Sequence, residues 1–239
     1  MPHDGAGQPA DLGRVKGVIG LGLPTVAMGL LGLAMLPVEA AALLIVPSLV
    51  TNVWQLLAGP LFGALLRRLW PMMVSIVAGT LAGSGVIVGT DAGAATAFLG
   101  AALALYGVVG LAKPRLRVPP AAEPLAGPLV GAVTGATGVF VIPAVPYIGS
   151  LGLERDDLVQ ALGLSFTVST LALTAGLVLH GALPLATTAI SVLAVLPALV
   201  GMAFGAWLRA RVRPEVFRLC FFVSLLLLGG ELAWREMAS

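Results

Sequence analysis

Apolar stretches separated by short polar or proline-containing breaks run along almost the whole chain. Eight of them are candidate membrane-spanning segments: Val15–Leu36, Glu39–Leu66, Trp70–Gly89, Ala92–Ala112, Leu125–Leu151, Asp157–Leu179, Pro184–Leu208 and Glu215–Trp234. A helix needs roughly 20 apolar residues to cross a hydrocarbon core of about 30 Å, and these segments meet that length. The one long polar, proline-rich stretch, Lys113 to Pro120, divides them into two sets of four. The predicted organisation is a disordered polar tail over residues 1–13, a first transmembrane repeat over 14–112, a cytoplasmic linker over 113–124 and a second repeat over 125–239.

The two halves share a plan. In each, a Gly-rich segment runs into a proline (Gly17, Gly20, Gly22 and Pro24; Gly131, Gly135, Gly138 and Pro143), and a polar-striped helix follows a short acidic link. An offset of 117 lays Leu36–Gly59 on Leu153–Gly176, with Ser48 on Ser165, Asn52 on Ser169 and Gly59 on Gly176. This pattern points to a duplicated unit. Basic residues concentrate in cytoplasmic loops, which tests how the halves are oriented. Eight full crossings would put Arg67, Arg68, Lys113, Arg115 and Arg117 on one side and Arg209, Arg211, Arg213 and Arg218 on the other. If each Gly/Pro segment instead enters and returns on one side, each half has three crossings and the halves are inverted. All nine basic residues then share the cytoplasmic face with the loop Glu154–Asp157, and Asp91 lies opposite. With only the second Gly/Pro segment re-entrant there would be seven crossings, so counts of six to eight fit the pattern.

Polar side chains inside the spans carry the candidate chemistry. Ser48, Thr51, Asn52 and Gln55 recur at i, i+3, i+4 and i+7, which places them on one helix face. Ser165 and Ser169, with Thr167 and Thr170 nearby, echo this stripe in the second half. Two readings stand. Such groups can line a permeation or binding face, or they can hold helices together through bonds worth about 0.6 to 2 kcal/mol. The breaks at Gly20–Pro24, beside Thr25, and at Gly135–Pro143, with Thr134 and Thr137, are places where half-helix amides can face an anion; the same glycines can instead serve close packing. Trp54 lies mid-segment, where it either shapes a cavity or packs on a neighbouring helix, and Phe166 beside Ser165 has the same two roles open. Trp70, Trp207 and Trp234 lie near segment ends and fit an interfacial belt.

Composition makes the class firm. With 59% hydrophobic residues, 10% charged and a mean hydropathy of +1.04, the chain reads as an all-α, polytopic membrane protein whose first partner is the lipid bilayer. No Lys, Arg, Asp or Glu falls in the middle of a predicted span. Binding would therefore rest on uncharged side chains and backbone amides, and a deep carboxylate relay for protons is missing. No span supplies the Ser/Lys or His/carboxylate set that an intramembrane enzyme requires. One cysteine, Cys220, excludes an intrachain disulfide, while His3 and His180 are too sparse for a metal site, so no cofactor is expected. A net charge of +2 gives no reason to invoke nucleic acid, and small-residue faces open a route to a homodimer.

Four runs carry a family resemblance: Lys16–Thr25 (KGVIGLGLPT), Pro47–Gln55 (PSLVTNVWQ), Gly131–Tyr147 (GAVTGATGVFVIPAVPY) and Gln160–Phe166 (QALGLSF). Together they resemble the TauE/SafE family of sulfite and organosulfonate exporters, also called the toluene sulfonate uptake permease family. The resemblance covers nearly all of the chain after the tail. It implies a secondary transporter of the bacterial or archaeal plasma membrane that exports sulfite, sulfoacetate or another small organosulfonate by alternating access. Gly20, Pro24, Thr25, Ser48, Thr51, Asn52, Trp54, Gln55, Thr134, Thr137, Pro143, Ser165, Phe166 and Ser169 are the expected site residues. The competing class is an anion channel or a non-transporting membrane assembly subunit.

Overall fold

A computed structural model describes residues 23–112, 123–142 and 144–238. Gly20, Pro143, the polar tail and the Lys113–Pro120 linker lie outside the described residues. Ten helices make up the rest, with no strand among the described residues: α1 (Leu23–Gly32), α2 (Pro37–Leu57), α3 (Phe62–Gly89), α4 (Ala92–Leu111), α5 (Glu123–Thr137), α6 (Ala144–Ser150), α7 (Arg155–Leu179), α8 (Leu185–Leu193), α9 (Val195–Arg211) and α10 (Pro214–Ala238). Five of them, α2, α3, α4, α7 and α10, are long and apolar enough to cross a membrane.

Local chemistry explains where these helices stop. The second apolar segment does not run on to Leu66. It breaks at residues 58–61, around Gly59-Pro60, so Arg67, Arg68 and Trp70 sit on the opening turns of α3 rather than in a loop. Gln160 of α7 holds this turn: its Nε2 donates to the carbonyls of Leu56 (2.8 Å) and Gly59, and its Oε1 accepts the Leu61 N–H (2.9 Å). The seventh segment divides at Ala194 into α8 and α9, because Pro197 has no N–H for the carbonyl four residues back. Within α2, Pro47 leaves the Leu43 carbonyl without its helical donor. Ser191 of α8 supplies one, donating to Leu43 O (2.8 Å) and accepting the Val46 N–H (3.2 Å). The fifth segment is interrupted after Thr137 by the non-helical stretch 138–142. Gly138 turns the chain there with φ +71°, in the left-handed region that favours glycine.

Glycines set the tightest seams. A Cβ at Gly79 of α3 would lie 2.6 Å from the Pro128 carbonyl oxygen of α5, and one at Gly127 would lie 2.7 Å from Ser75 Cβ. Gly131 and Gly135 complete this seam, their Cα atoms facing the α3 backbone at Ile76 and Thr80. Across the α4–α10 seam, a Cβ at Gly100 would meet Ala233 N at 2.7 Å and one at Gly107 would meet Leu226 N at 2.8 Å. Lipid tails are as apolar as leucine, so such backbone approach supplies the dispersion contacts that hold membrane helices together. These small-residue faces are consumed within the chain. They therefore do not provide the homodimer surface expected from sequence.

The same contacts fix chain direction. Rising residue numbers match along α3 and α5 (Met72 with Gly127, Ser84 with Gly135), so these helices are parallel; α4 and α10 are antiparallel, Gly100 facing Ala233 and Gly107 facing Leu226. Helices α2 and α7 are also antiparallel, since Asn52 meets Thr170 while Gly59 meets Gln160. One end of the bundle thus gathers the starts of α3, α5, α7 and α10 with the ends of α2, α4 and α9. Arg67, Arg68, Arg211, Arg213 and Arg218 belong to this basic end, where Arg218 Nη1 donates to the Gly110 carbonyl (3.3 Å) near the end of α4. Asp91 and the α7 terminus at His180 lie at the opposite end. Helices at matching positions in the two halves, α2 and α7 or α4 and α10, run in opposite directions.

Candidate binding cleft at the crossing of α2 and α7

Both polar-striped helices cross at the centre of the bundle, and a cleft opens beside the crossing. Its wall is formed by Pro24 and Thr25 of α1, by Ala41, Leu44, Ile45 and Ser48 of α2, by Gly138, Val139 and Phe140 of the interrupted segment, and by Thr170 and Leu173 of α7. Each contribution has a local cause. Pro24 suits the first turn of α1, where its missing N–H costs no helical bond, and places that helix's amide end at the cleft. The α5 terminus is closed by Gly138, whose N–H donates to Thr134 O (2.8 Å), and by Thr137, whose Oγ1 donates to Val133 O (2.6 Å) and accepts the Val139 N–H (3.2 Å). Phe140 is then set against Phe166, with ring centroids 5.0 Å apart.

Hydroxyls around the cleft fall into two kinds. Thr51 donates to Pro47 O and Ser48 O at 3.0 Å, Thr134 to Val130 O at 2.7 Å, Thr167 to Gly163 O at 2.7 Å and Thr170 to Phe166 O at 2.8 Å. These are satisfied by their own helices. Thr25, Thr80, Ser165 and Ser169, by contrast, are buried with hydroxyls that have no protein partner, as does Gln55 Oε1. A buried polar atom without a partner forfeits about 1 to 3 kcal/mol, so each is a place where a ligand, a water or another conformation can supply the missing bond. Only Thr25 among them lines the cleft. Asn52 seals its floor on the side of the basic end, its Nδ2 donating to Thr170 Oγ1 at 3.2 Å.

The expected site residues therefore separate by position. Pro24, Thr25 and Ser48 meet in the cleft, Asn52 lies directly beneath it, and Thr137 shapes its edge. Thr51 and Thr134 are buried, Gln55 is half-buried, and Ser165 and Ser169 are wholly enclosed outside the lining. Phe166 is buried behind Phe140. Trp54 is a correction: it is 75% exposed on α2 and outside the cleft lining, so it neither shapes the cleft nor packs within the chain. Thr170 in the second stripe and Gly138 in the second break were noticed in the sequence but not counted among the expected site residues, while Phe140 as a lining residue and Gln160 and Ser191 as supports were given no role. Ser191 had one indirect signal, the orphan carbonyl that Pro47 must create. No group of three or more His, Cys, Asp or Glu side chains converges among the described residues.

Among the described residues, no charged side chain lines the cleft. It offers hydroxyls, an amide helix end and apolar walls, which suit a small polar or anionic solute held by dipoles and released easily. In this conformation its interior has room for one water molecule at most, so a larger solute requires the walls to part.

Fold and cleft together describe a multi-pass helical membrane protein with a small, mostly apolar cleft that carries three hydroxyl side chains among its described lining residues. The chain belongs to the sulfite exporter TauE/SafE family, whose profile matches residues 12–232, and it is thereby placed among membrane transporters. No curated protein and no solved structure matches it.

Proposed function

We propose that the protein is a secondary transporter that exports a small sulfur-containing anion, such as sulfite, sulfoacetate or another small organosulfonate, by alternating access. The observation that carries this reading is the meeting of the α1 amide end, the unpartnered Thr25 hydroxyl and Ser48 in one cleft at the α2–α7 crossing. Anion oxygens accept from both hydroxyls and amides, and family membership supplies the class of solute. Thr25, Ser48 and Asn52 form the core of the proposed site, with Pro24 and Thr137 as its frame. The uncharged lining among the described residues suits weak binding and rapid release.

The opposed directions of matching helices support two inverted repeats, residues 14–112 and 125–239, as the machine behind alternating access. Basic residues gathered at one end support that end as the cytoplasmic face of a plasma-membrane protein. Proteoliposome flux with sulfite, sulfoacetate and taurine tests the function. Saturable movement of at least one of them is expected; no saturable movement of any small sulfur anion contradicts it, and linear conductance would favour a channel.

A further inference from the structure

Helix α9 stands at the edge of the bundle, touching α1, α2 and α8 with much of its described surface uncovered. One face of it is ordered by spacing. Leu196, Val200, Phe204 and Trp207 recur at i, i+4, i+8 and i+11, and all are exposed, from 48% at Trp207 to 71% at Leu196. At about 1.5 Å per residue this stripe is roughly 16 Å long, close to half of a hydrocarbon core of about 30 Å, so it matches one leaflet. It ends in charge. The Arg211 guanidinium lies over the Trp207 ring, 4.4 Å from its centroid, and Trp207 is stacked on Phe204 at 5.6 Å. A guanidinium held by its flat face keeps its N–H edges free for oxygens in its plane. Arg213 is exposed too, and its carbonyl accepts the Phe217 N–H at 3.0 Å, which sets it at the amide end of α10. No carboxylate among the described residues pairs with Arg211 or Arg213. Glu215, in the first turn of α10, is the single acidic residue against four arginines over residues 209–218. The other end of the bundle differs: Trp234 is exposed there beside Arg235, but Arg235 is already paired with Glu231 at 2.8 Å.

We infer that the α9–α10 corner binds one anionic phospholipid of the leaflet at the basic end, with an acyl chain along the α9 stripe and the phosphate held by Arg211 and Arg213 beside the α10 amide end. Charge selects the occupant. A zwitterionic lipid brings its own ammonium group up to two unpaired guanidinium groups, whereas phosphatidylglycerol brings a single negative charge that both can share. A second copy of the chain fits worse, because packing two such stripes about an axis along the membrane normal brings their arginines together at one end. By filling the stripe, the lipid holds α9 against α1 and α2, the helices that carry Pro24, Thr25 and Ser48 to the cleft.

Native mass spectrometry and thermal unfolding of the full chain in detergent test this with no transported solute present, so the result stands apart from any flux assay. The probes are dioleoyl phosphatidylglycerol, dioleoyl phosphatidylcholine and glycerol phosphate, a headgroup without chains. Phosphatidylglycerol is expected to remain bound as one tightly held lipid and to raise the thermal midpoint more than phosphatidylcholine; glycerol phosphate at the same concentration should do neither. Arg211→Gln combined with Arg213→Gln should weaken phosphatidylglycerol binding about tenfold, through lost charge-assisted hydrogen bonds, and leave phosphatidylcholine binding unchanged. Trp207→Leu keeps the stripe apolar but removes the brace under Arg211, so it should weaken phosphatidylglycerol binding about threefold, and it serves if the double variant is not monodisperse. Arg235→Gln, at the other end, should change nothing. The inference is overturned if the two lipids bind alike, if the arginine and tryptophan variants keep the native preference, if Arg235→Gln removes that preference, or if glycerol phosphate substitutes for the lipid. A native dimer that Val200→Trp dissociates would also overturn it, by placing a second copy on the stripe.

Discussion

Burial divides the polar side chains by what they still lack. Asn52 is 1% exposed and its amide is committed to Thr170, so its first role is to tie α2 to α7 below the cleft. Changing Asn52→Ala and Thr170→Val singly and together should reveal a coupling of about 0.6 to 1.7 kcal/mol in detergent unfolding, the range of interhelical bonds in membrane proteins. A coupling near zero would remove that tie. Thr25 is the contrasting case, enclosed at the cleft with nothing to bond. Thr25→Val keeps the shape and deletes the orphan, so stability should hold or rise by up to about 1 kcal/mol in the same measurement. Spacing in the sequence brought out Ser48 and Asn52, and the Gly/Pro break brought out Thr25. Which hydroxyls stay unbonded was not legible, because a helical Ser or Thr can either donate to its own preceding turn or withhold that bond, and the neighbouring helices decide.

At the scale of elements, proline and glycine explain most departures from a simple reading of hydropathy. Helix α4 was read to within a residue at each end because Asp91 caps it, its Oδ1 accepting the Ala94 N–H at 2.8 Å. The turn at 58–61 was hidden because apolar residues continue on both sides of Gly59-Pro60, and hydropathy averages across so short a break. Ser191 repairs the gap that Pro47 makes in α2. Ser191→Ala should therefore cost about 1 to 3 kcal/mol, the penalty for stranding a buried carbonyl, measured as a lower thermal midpoint in detergent. The glycine seams give a paired expectation. Gly79→Ala would press on the Pro128 carbonyl and should sharply reduce folded protein, whereas Gly201→Ala on α9 meets nothing within 4 Å and should be neutral or stabilising by up to about 1 kcal/mol. Equal effects at both glycines, read by size-exclusion yield, would contradict the packing role.

For the whole molecule, direction matters more than the number of crossings. The sequence-based argument from basic residues placed Arg67, Arg68 and Arg209 to Arg218 on one face, and the helix directions gather these positions at one end of the bundle. Their counterparts Lys113, Arg115 and Arg117 lie outside the described residues. Cysteines introduced at Asp91 and Arg211 should accordingly label from opposite sides of the membrane, and labelling from a single side would contradict the arrangement. The central functional claim, transport of a small sulfur anion through the cleft, is tested most directly by proteoliposome flux of sulfite and sulfoacetate with the native chain and with Thr25→Val side by side. Saturable flux that falls about tenfold in a fully folded Thr25→Val variant, the loss of about one hydrogen bond to an anion, is the expected result. Absence of saturable flux in the native chain, or native flux in the variant, would contradict it.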